Sequence, residues 1–273
     1  MTTVKKFEIL KIDENSILTT DNLTIGYQQK KQQKIIAKGI DLRIKKGTLT
    51  AVIGKNGIGK STLLKTLSGV QKPLNGEIFI NRKNSTSYKQ SELATTISLV
   101  LTERLPESQL TVFELIALGR QPHTNWIDSL SKKDLKKIHW AIKETNLETL
   151  QNNRFYELSD GQLQRVLIAR ALSQDTEIII LDEPTAHLDM HQTLAIFELL
   201  KKLTISTEKT IVISTHEINL ATKMCDELIV LSENKIYTGT TTALIKQNAF
   251  DNLFSSNIIK FNNTLQQFVI NNT

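Results

Sequence analysis

The segment Gly54-Lys55-Asn56-Gly57-Ile58-Gly59-Lys60-Ser61 constrains this chain more than any other. Its pattern, G-x-x-x-x-G-K-[ST], suits a loop that curls round a phosphate with several backbone N–H groups pointing inward, a path that glycine permits. On this reading Lys60 offers a positive charge to the terminal phosphates and the Ser61 hydroxyl is placed to ligate Mg²⁺. The helix start that continues through Thr62 adds a partial positive charge. The flanks agree: apolar residues 49–53 read as a strand, and residues 59–68 open a helix. A chance glycine-rich turn would lack that strand–loop–helix context. The pattern by itself leaves ATPases, GTPases and kinases open.

A second signal lies at Ile178-Ile179-Ile180-Leu181-Asp182-Glu183. An unbroken aliphatic run is buried on both faces of a sheet. An acid at its carboxyl end, Asp182, can orient a Mg²⁺ shell, and Glu183 falls where an attacking water needs a base. Two acids at a strand end could equally close a turn. The phosphate loop upstream in the same α/β pattern favours chemistry.

The rest of the chain supplies the frame. Residues 18–27 and 35–44 alternate in polarity around a polar, lysine- and glutamine-rich turn, predicting a hairpin; residues 77–80 and 97–101 read as further strands. From about 102 to 153 the pattern turns helical, over 111–119, 131–146 with Ser131 as N-cap, and 147–150. Strands at 178–181, 210–214 and 228–231 then alternate with helices at 191–203 and 217–225, which implies parallel strands with crossover helices. Residues 250–273, polar with two short apolar pieces, read as a small appendage.

No apolar stretch reaches the roughly 18–20 residues of a membrane span, and residues 1–10 lack the apolar core of a secretory signal. The net charge of +6 could meet lipid headgroups or nucleic acid, but the lysines are scattered and lack interleaved aromatics, as on solvated faces. The single cysteine, Cys225, excludes an internal disulfide and reads as a small buried hydrophobe. His123, His139, His187 and His191 have no convincing metal spacing and read as structural or surface residues.

Other residues carry a family resemblance. Leu158-Ser159-Asp160-Gly161-Gln162 resembles the LSGGQ signature of ATP-binding-cassette (ABC) ATPases, with Asp160 in place of the first glycine. Asp182-Glu183-Pro184-Thr185-Ala186-His187-Leu188-Asp189 resembles the Walker B end and D-loop, His216 the switch histidine, and Tyr27 the aromatic that stacks on adenine. The resemblance spans about residues 18–239. It implies an α/β fold: an ABC cassette with an N-terminal antiparallel β region, a RecA-like parallel-sheet core and an inserted helical subdomain. Residues 16–240 would form the ATPase domain, with the helical subdomain at about 102–172 and an appendage at 241–273.

The resemblance further implies a homodimer in which two ATP molecules are sandwiched between P-loop and signature. Glu183, His216 and Lys60 would be catalytic. Tyr27, Gly54 to Thr62, Ser159 to Gln162 and Asp189 would face nucleotide, and Ser61 and Asp182 would face Mg²⁺. Ser159 and the amides near Gly161 begin a helix, which suits an anion from the other subunit. The family's usual glutamine after the 97–101 strand is missing; Thr102 and Glu103 stand there and are expected to take the metal-sensing role.

Residues 110–123, LTVFELIALGRQPH, resemble importer cassettes for iron–siderophore, haem and cobalamin. Membrane permease subunits, indirectly a substrate-binding protein, and a peripheral position on the cytoplasmic membrane face follow from that likeness; nucleic acid does not. The alternative is a soluble ABC ATPase acting on nucleic acid or the ribosome. Such proteins carry two cassettes or a long coiled-coil insertion.

Overall fold

The computed structural model describes residues 15–29, 32–101, 108–124, 129–233, 235–251, 253 and 259–270. An antiparallel sheet comes first. It is built from β1 (Ser16–Gln29), β2 (Gln32–Ile40), β3 (Arg43–Lys45), then, after β4 (Leu49–Gly54) and α1 (Lys60–Leu67), β5 (Asn75–Ile80) and β6 (Lys83–Asn84). Its order is β2-β1-β5-β6, with β3 also paired to β1. The expected hairpin forms, but its second strand is interrupted. The Thr20 hydroxyl donates to the Ile40 carbonyl (2.7 Å) and accepts from the Leu42 N–H (2.8 Å), which ends β2 before β3 begins.

After α2 (Gln90–Thr96) and β7 (Ile97–Val100) comes a helical layer of α3 (Val112–Ala117), α4 (Lys132–Glu144) and α5 (Asp160–Ser173). The Ser131 hydroxyl caps α4 as expected, accepting from the Asp134 N–H. Residues 147–150, expected to be helical, form turns instead. Asn146 takes a left-handed φ of +55°, which ends α4, and Leu147 donates back to the Ile142 carbonyl, a helix-closing pattern.

The remaining elements are β8 (Ile178–Leu181), α6 (Met190–Thr207), β9 (Thr210–Ser214), α7 (Ile218–Met224), β10 (Glu227–Leu231), β11 (Ile236–Gly239), α8 (Thr241–Lys246), β12 (Ile259–Asn262) and β13 (Gln267–Ile270). The central sheet runs β11-β10-β4-β9-β8-β7, parallel except for β11. Strands β4, β8, β9 and β10 are buried on both faces. Ala51, Ile53, Ile179, Leu181, Ile211 and Ile213 pack into one core with α3 to α6. Their alternates Val52, Ile178, Ile180 and Val212 pack into a second core with α1 and the antiparallel sheet. In the tail, Phe250 stacks on Phe261 at 4.1 Å, and Phe268 meets Phe261 edge-on.

Candidate nucleotide site

Strand order explains why distant residues meet. β4, β9 and β8 are consecutive neighbours, and ligands of parallel α/β sheets lie beyond the strands' carboxyl ends. The loop Gly54 to Ser61 leaves β4, His216 follows β9, and Asp182 and Glu183 follow β8. Asn56, Gly57, Gly59 to Thr62, Glu183 and His216 line one open cleft of about 500 Å³ together with Tyr27, Lys34 and Ile36 of the antiparallel sheet, and Asp182 stands behind them, bonded to Ser61.

The loop needs its glycines for two reasons. Gly59 has a φ of +111°, and a Cβ there would stand 2.4 Å from Ile36 Cγ2. The backbone thereby passes close under β2, and α1 begins one residue later. Lys60 is 4% exposed, and its Nζ donates to the carbonyls of Gly54 (3.1 Å) and Lys55 (3.4 Å). Burial lowers its pKa, and the negative charges of Glu183 and Asp182 oppose that shift.

Asp182 is 6% exposed, and its Oδ1 accepts from Ser61 Oγ at 3.0 Å and from Ser214 Oγ at 2.6 Å. Its N–H is tied to the Val100 carbonyl on β7. Glu183 follows with a left-handed φ of +47°, and its N–H donates to Ser214 Oγ at 2.8 Å. His216 Nε2 lies 2.6 Å from Glu183 Oε1; a carboxylate only accepts, so the proton between them belongs to the imidazole side. Tyr27, 43% exposed, has its hydroxyl 2.9 Å from Thr62 Oγ1, which fixes the ring beside the start of α1.

The signature forms a separate cluster. Ser159 caps α5, accepting from the Gln162 N–H, while the Gln162 side chain accepts from the Ser159 N–H. Asp160 is exposed in the first turn and Gly161 is buried. A Cβ on Gly161 would come within 3.0 Å of the Gln192 side chain, and the Gln192 N–H is in turn accepted by Asp189 Oδ1 (2.8 Å), the cap of α6. Asp189 and the signature are therefore neighbours in one chain. Among the described residues, none of Ser159 to Gln162 lines the P-loop cleft. Thr102 and Glu103 lie outside the described residues.

Among the residues of the site, Ser214 is not singled out by the sequence. Its signal is slight: one hydroxyl closing the aliphatic strand Thr-Ile-Val-Ile-Ser, two residues before His216. Of the four other histidines, His187 and His191 are exposed and two have packing or hydrogen-bond partners. His123 pairs with the Gln174 carbonyl and His139 packs on Phe113. Among the described residues no group of three or more His, Cys, Asp or Glu could hold a metal, and no helix is long and apolar enough to cross a membrane.

A phosphate-binding loop after β4, a buried lysine and a carboxylate pair after β8 define a P-loop nucleoside triphosphatase. The comparisons narrow the class. The family model described as ABC transporter matches residues 37–186. The Iron(3+)-hydroxamate import ATP-binding protein FhuC of Bacillus subtilis (strain 168) is 34% identical, over 87% of this chain and 87% of that one. The Ferric enterobactin transport ATP-binding protein FepC of Escherichia coli (strain K12) is 35% identical, over 80% and 79%. The dimeric post-hydrolysis state of the cassette MJ0796, bound to ADP and Pi, superposes with a TM-score of 0.70 at 30% identity, over 82% of this chain and 98% of that one. The chain belongs to the ABC transporter family and is an ATP-binding, ATP-hydrolysing cassette. These relatives are transport subunits, and the reading as a soluble nucleic-acid or ribosome ATPase is set aside.

Proposed function

We propose that this cassette powers an importer for iron–siderophore complexes. Two copies would sandwich two ATP molecules on the cytoplasmic face of the membrane, held there by integral permease subunits that receive cargo from a substrate-binding protein. The printed functions of FhuC and FepC support the cargo class, and the dimeric MJ0796 cassette supports the pairing. The domain division follows the same reading: residues 16–240 as the ATPase unit, about 102–172 as the inserted helical subdomain, and 241–273 as the appendage.

The observation that carries the mechanism is the convergence of β4, β9 and β8 on one cleft. ATP would lie with its base on Tyr27 and its phosphates in Gly54 to Thr62, where Lys60 exchanges carbonyl contacts for phosphate oxygens. Glu183 would take the proton of the attacking water, with His216 holding the carboxylate in line. Ser61 Oγ and Asp182 Oδ1 are hard oxygen donors on adjoining elements, and this donor set fits Mg²⁺, which is held by few protein oxygens plus substrate phosphates. Mg²⁺ would neutralise charge developing on the phosphates. Ser159 to Gln162 and Asp189 of one copy would complete the other copy's site. Thr102 and Glu103 would sense the metal; equal Mg²⁺-dependent turnover in a Thr102→Ala/Glu103→Ala double variant would remove them from that role.

The test is isolation of the intact complex from membranes and identification of its components. A polytopic permease and an extracytoplasmic binding protein are expected. Recovery with RNA or ribosomes and no membrane protein would overturn the proposal.

A further inference from the structure

Ser214 sits fully buried at the last residue of β9, between the two acids that end β8. Its hydroxyl has one proton and two lone pairs. The Asp182 carboxylate can only accept, so Ser214 donates to Oδ1 at 2.6 Å. The Glu183 N–H can only donate, so Ser214 accepts from it at 2.8 Å. These two bonds fix the rotor's direction, and the hydroxyl has no spare proton for chemistry of its own.

The consequences reach both acids. Asp182 Oδ1 also accepts from Ser61 Oγ, so the Ser61 proton points at Asp182 and its lone pairs face away, where a cation could use them. Glu183 holds a left-handed φ of +47°, sparsely populated for a residue with a Cβ, and its N–H is anchored by Ser214. That backbone geometry aims the carboxylate at His216, which β9 delivers two residues beyond Ser214. A single hydroxyl therefore sets the orientation of the metal-facing carboxylate and of the base.

We infer that Ser214 is a positioning residue for ATP hydrolysis, one that aligns Asp182 with Ser61 and Glu183 with His216. The inference rests on the roles proposed above for Asp182 and Glu183. The neighbouring aliphatic residues of β9 show that the strand does not need a hydroxyl for packing; the Asp182 carboxylate and the Glu183 N–H do.

The test compares wild type, Ser214→Ala, Ser214→Thr and Glu183→Gln in the purified transporter complex. Three quantities are read: metal-free ATP binding, turnover against Mg²⁺ concentration, and melting temperature. Ser214→Ala should bind metal-free ATP within about 3-fold of wild type, because the P-loop is untouched, while kcat falls about 10-fold or more and the half-saturating Mg²⁺ rises several-fold. Ser214→Thr keeps the hydroxyl and should recover most of both. Should Ser214→Ala not fold, Ser214→Cys, near-isosteric and a weak donor, is judged by the same criteria. Unchanged kcat and Mg²⁺ dependence in Ser214→Ala beside an inactive Glu183→Gln overturns the inference and leaves the base assignment standing. An active Glu183→Gln takes both down. Loss of kcat that Ser214→Thr does not restore also overturns it, as that marks a packing defect.

Discussion

His216 Nε2 and Glu183 Oε1 lie 2.6 Å apart, although 33 residues separate them in the chain. Neighbouring strands β8 and β9 end at the same level, so the pairing comes from sheet register and needs no long loop. Lys60 Nζ stands 3.5 Å from the same imidazole nitrogen and 3.9 Å from the same carboxylate oxygen. The three groups form one polar set at the head of the P-loop.

Glu183→Gln separates binding from hydrolysis. The amide keeps the shape of the side chain and cannot take a proton. ATP affinity should stay within about 3-fold, and turnover should fall about 10²–10⁴-fold, the usual worth of a general base. ATP should then hold the variant as a dimer on size-exclusion chromatography. A monomer under saturating ATP would count against the sandwich.

Arg120→Leu should destabilise the helical layer. Arg120 is 2% exposed; its Nε donates to Asp134 Oδ1 at 2.9 Å and its Nη1 to the Ser173 carbonyl at 2.6 Å, tying α4 to the end of α5. Removing one partner of such a buried pair costs about 3–5 kcal/mol. Burial alone would raise the Asp134 pKa. Hydrogen bonds from the Ser131 hydroxyl and N–H and from Arg120, with the guanidinium charge, outweigh it and hold the pKa down at about 2, against 3.8 for a free aspartate. A depressed carboxyl stabilises the fold fully above pH 3.8, and this stabilisation is lost as pH falls towards 2. The melting-temperature gap between wild type and variant should therefore be constant near neutrality and narrow across that acid range, without vanishing, because the Ser131 bonds to Asp134 persist in the variant.

Cys225 should be unreactive while the protein is folded. Burial first, and the neighbouring charge of Asp226 second, push its thiol up to about 12. Since the thiolate is the nucleophile, very little of the folded protein carries a reactive thiolate at pH 8. A thiol reagent at that pH should label native protein slowly and denatured protein at once. Fast labelling of the native protein would mean that α7 and β10 open readily.

How much of this was legible in the sequence follows the range of the forces involved. The P-loop and the strand before Asp182 are local patterns, readable because glycine spacing and aliphatic runs report backbone demands directly. Ser214 was not readable, since its two partners lie 31 and 32 residues upstream and only sheet order brings them near. Arg120 falls within the importer-like segment 110–123, and its burial is not readable there because it depends on Asp134, fourteen residues further on. The break between β2 and β3 has its cause in Thr20, about twenty residues away. Residues 147–150 have helical composition, and it was the left-handed turn at Asn146 that ended the helix.

Asp160→Gly tests whether the signature meets a phosphate. Asp160 is an exposed acid in the first turn of α5, where it favours the helix dipole by about 0.3–1 kcal/mol. Glycine forfeits that and adds backbone entropy of about 0.5–1 kcal/mol, so the isolated cassette should melt slightly lower. In the sandwich the same carboxylate would face the partner's triphosphate, and were the two charges about 7 Å apart they would repel by roughly 2 kcal/mol before salt screening. The second effect is the larger, so ATP-dependent dimerisation should tighten several-fold, most visibly in a Glu183→Gln background. The gain should shrink as ionic strength rises and the Debye length falls below that spacing. A dimer that weakens, or a gain indifferent to salt, would place Asp160 away from the phosphate and leave it as a helix-start residue alone.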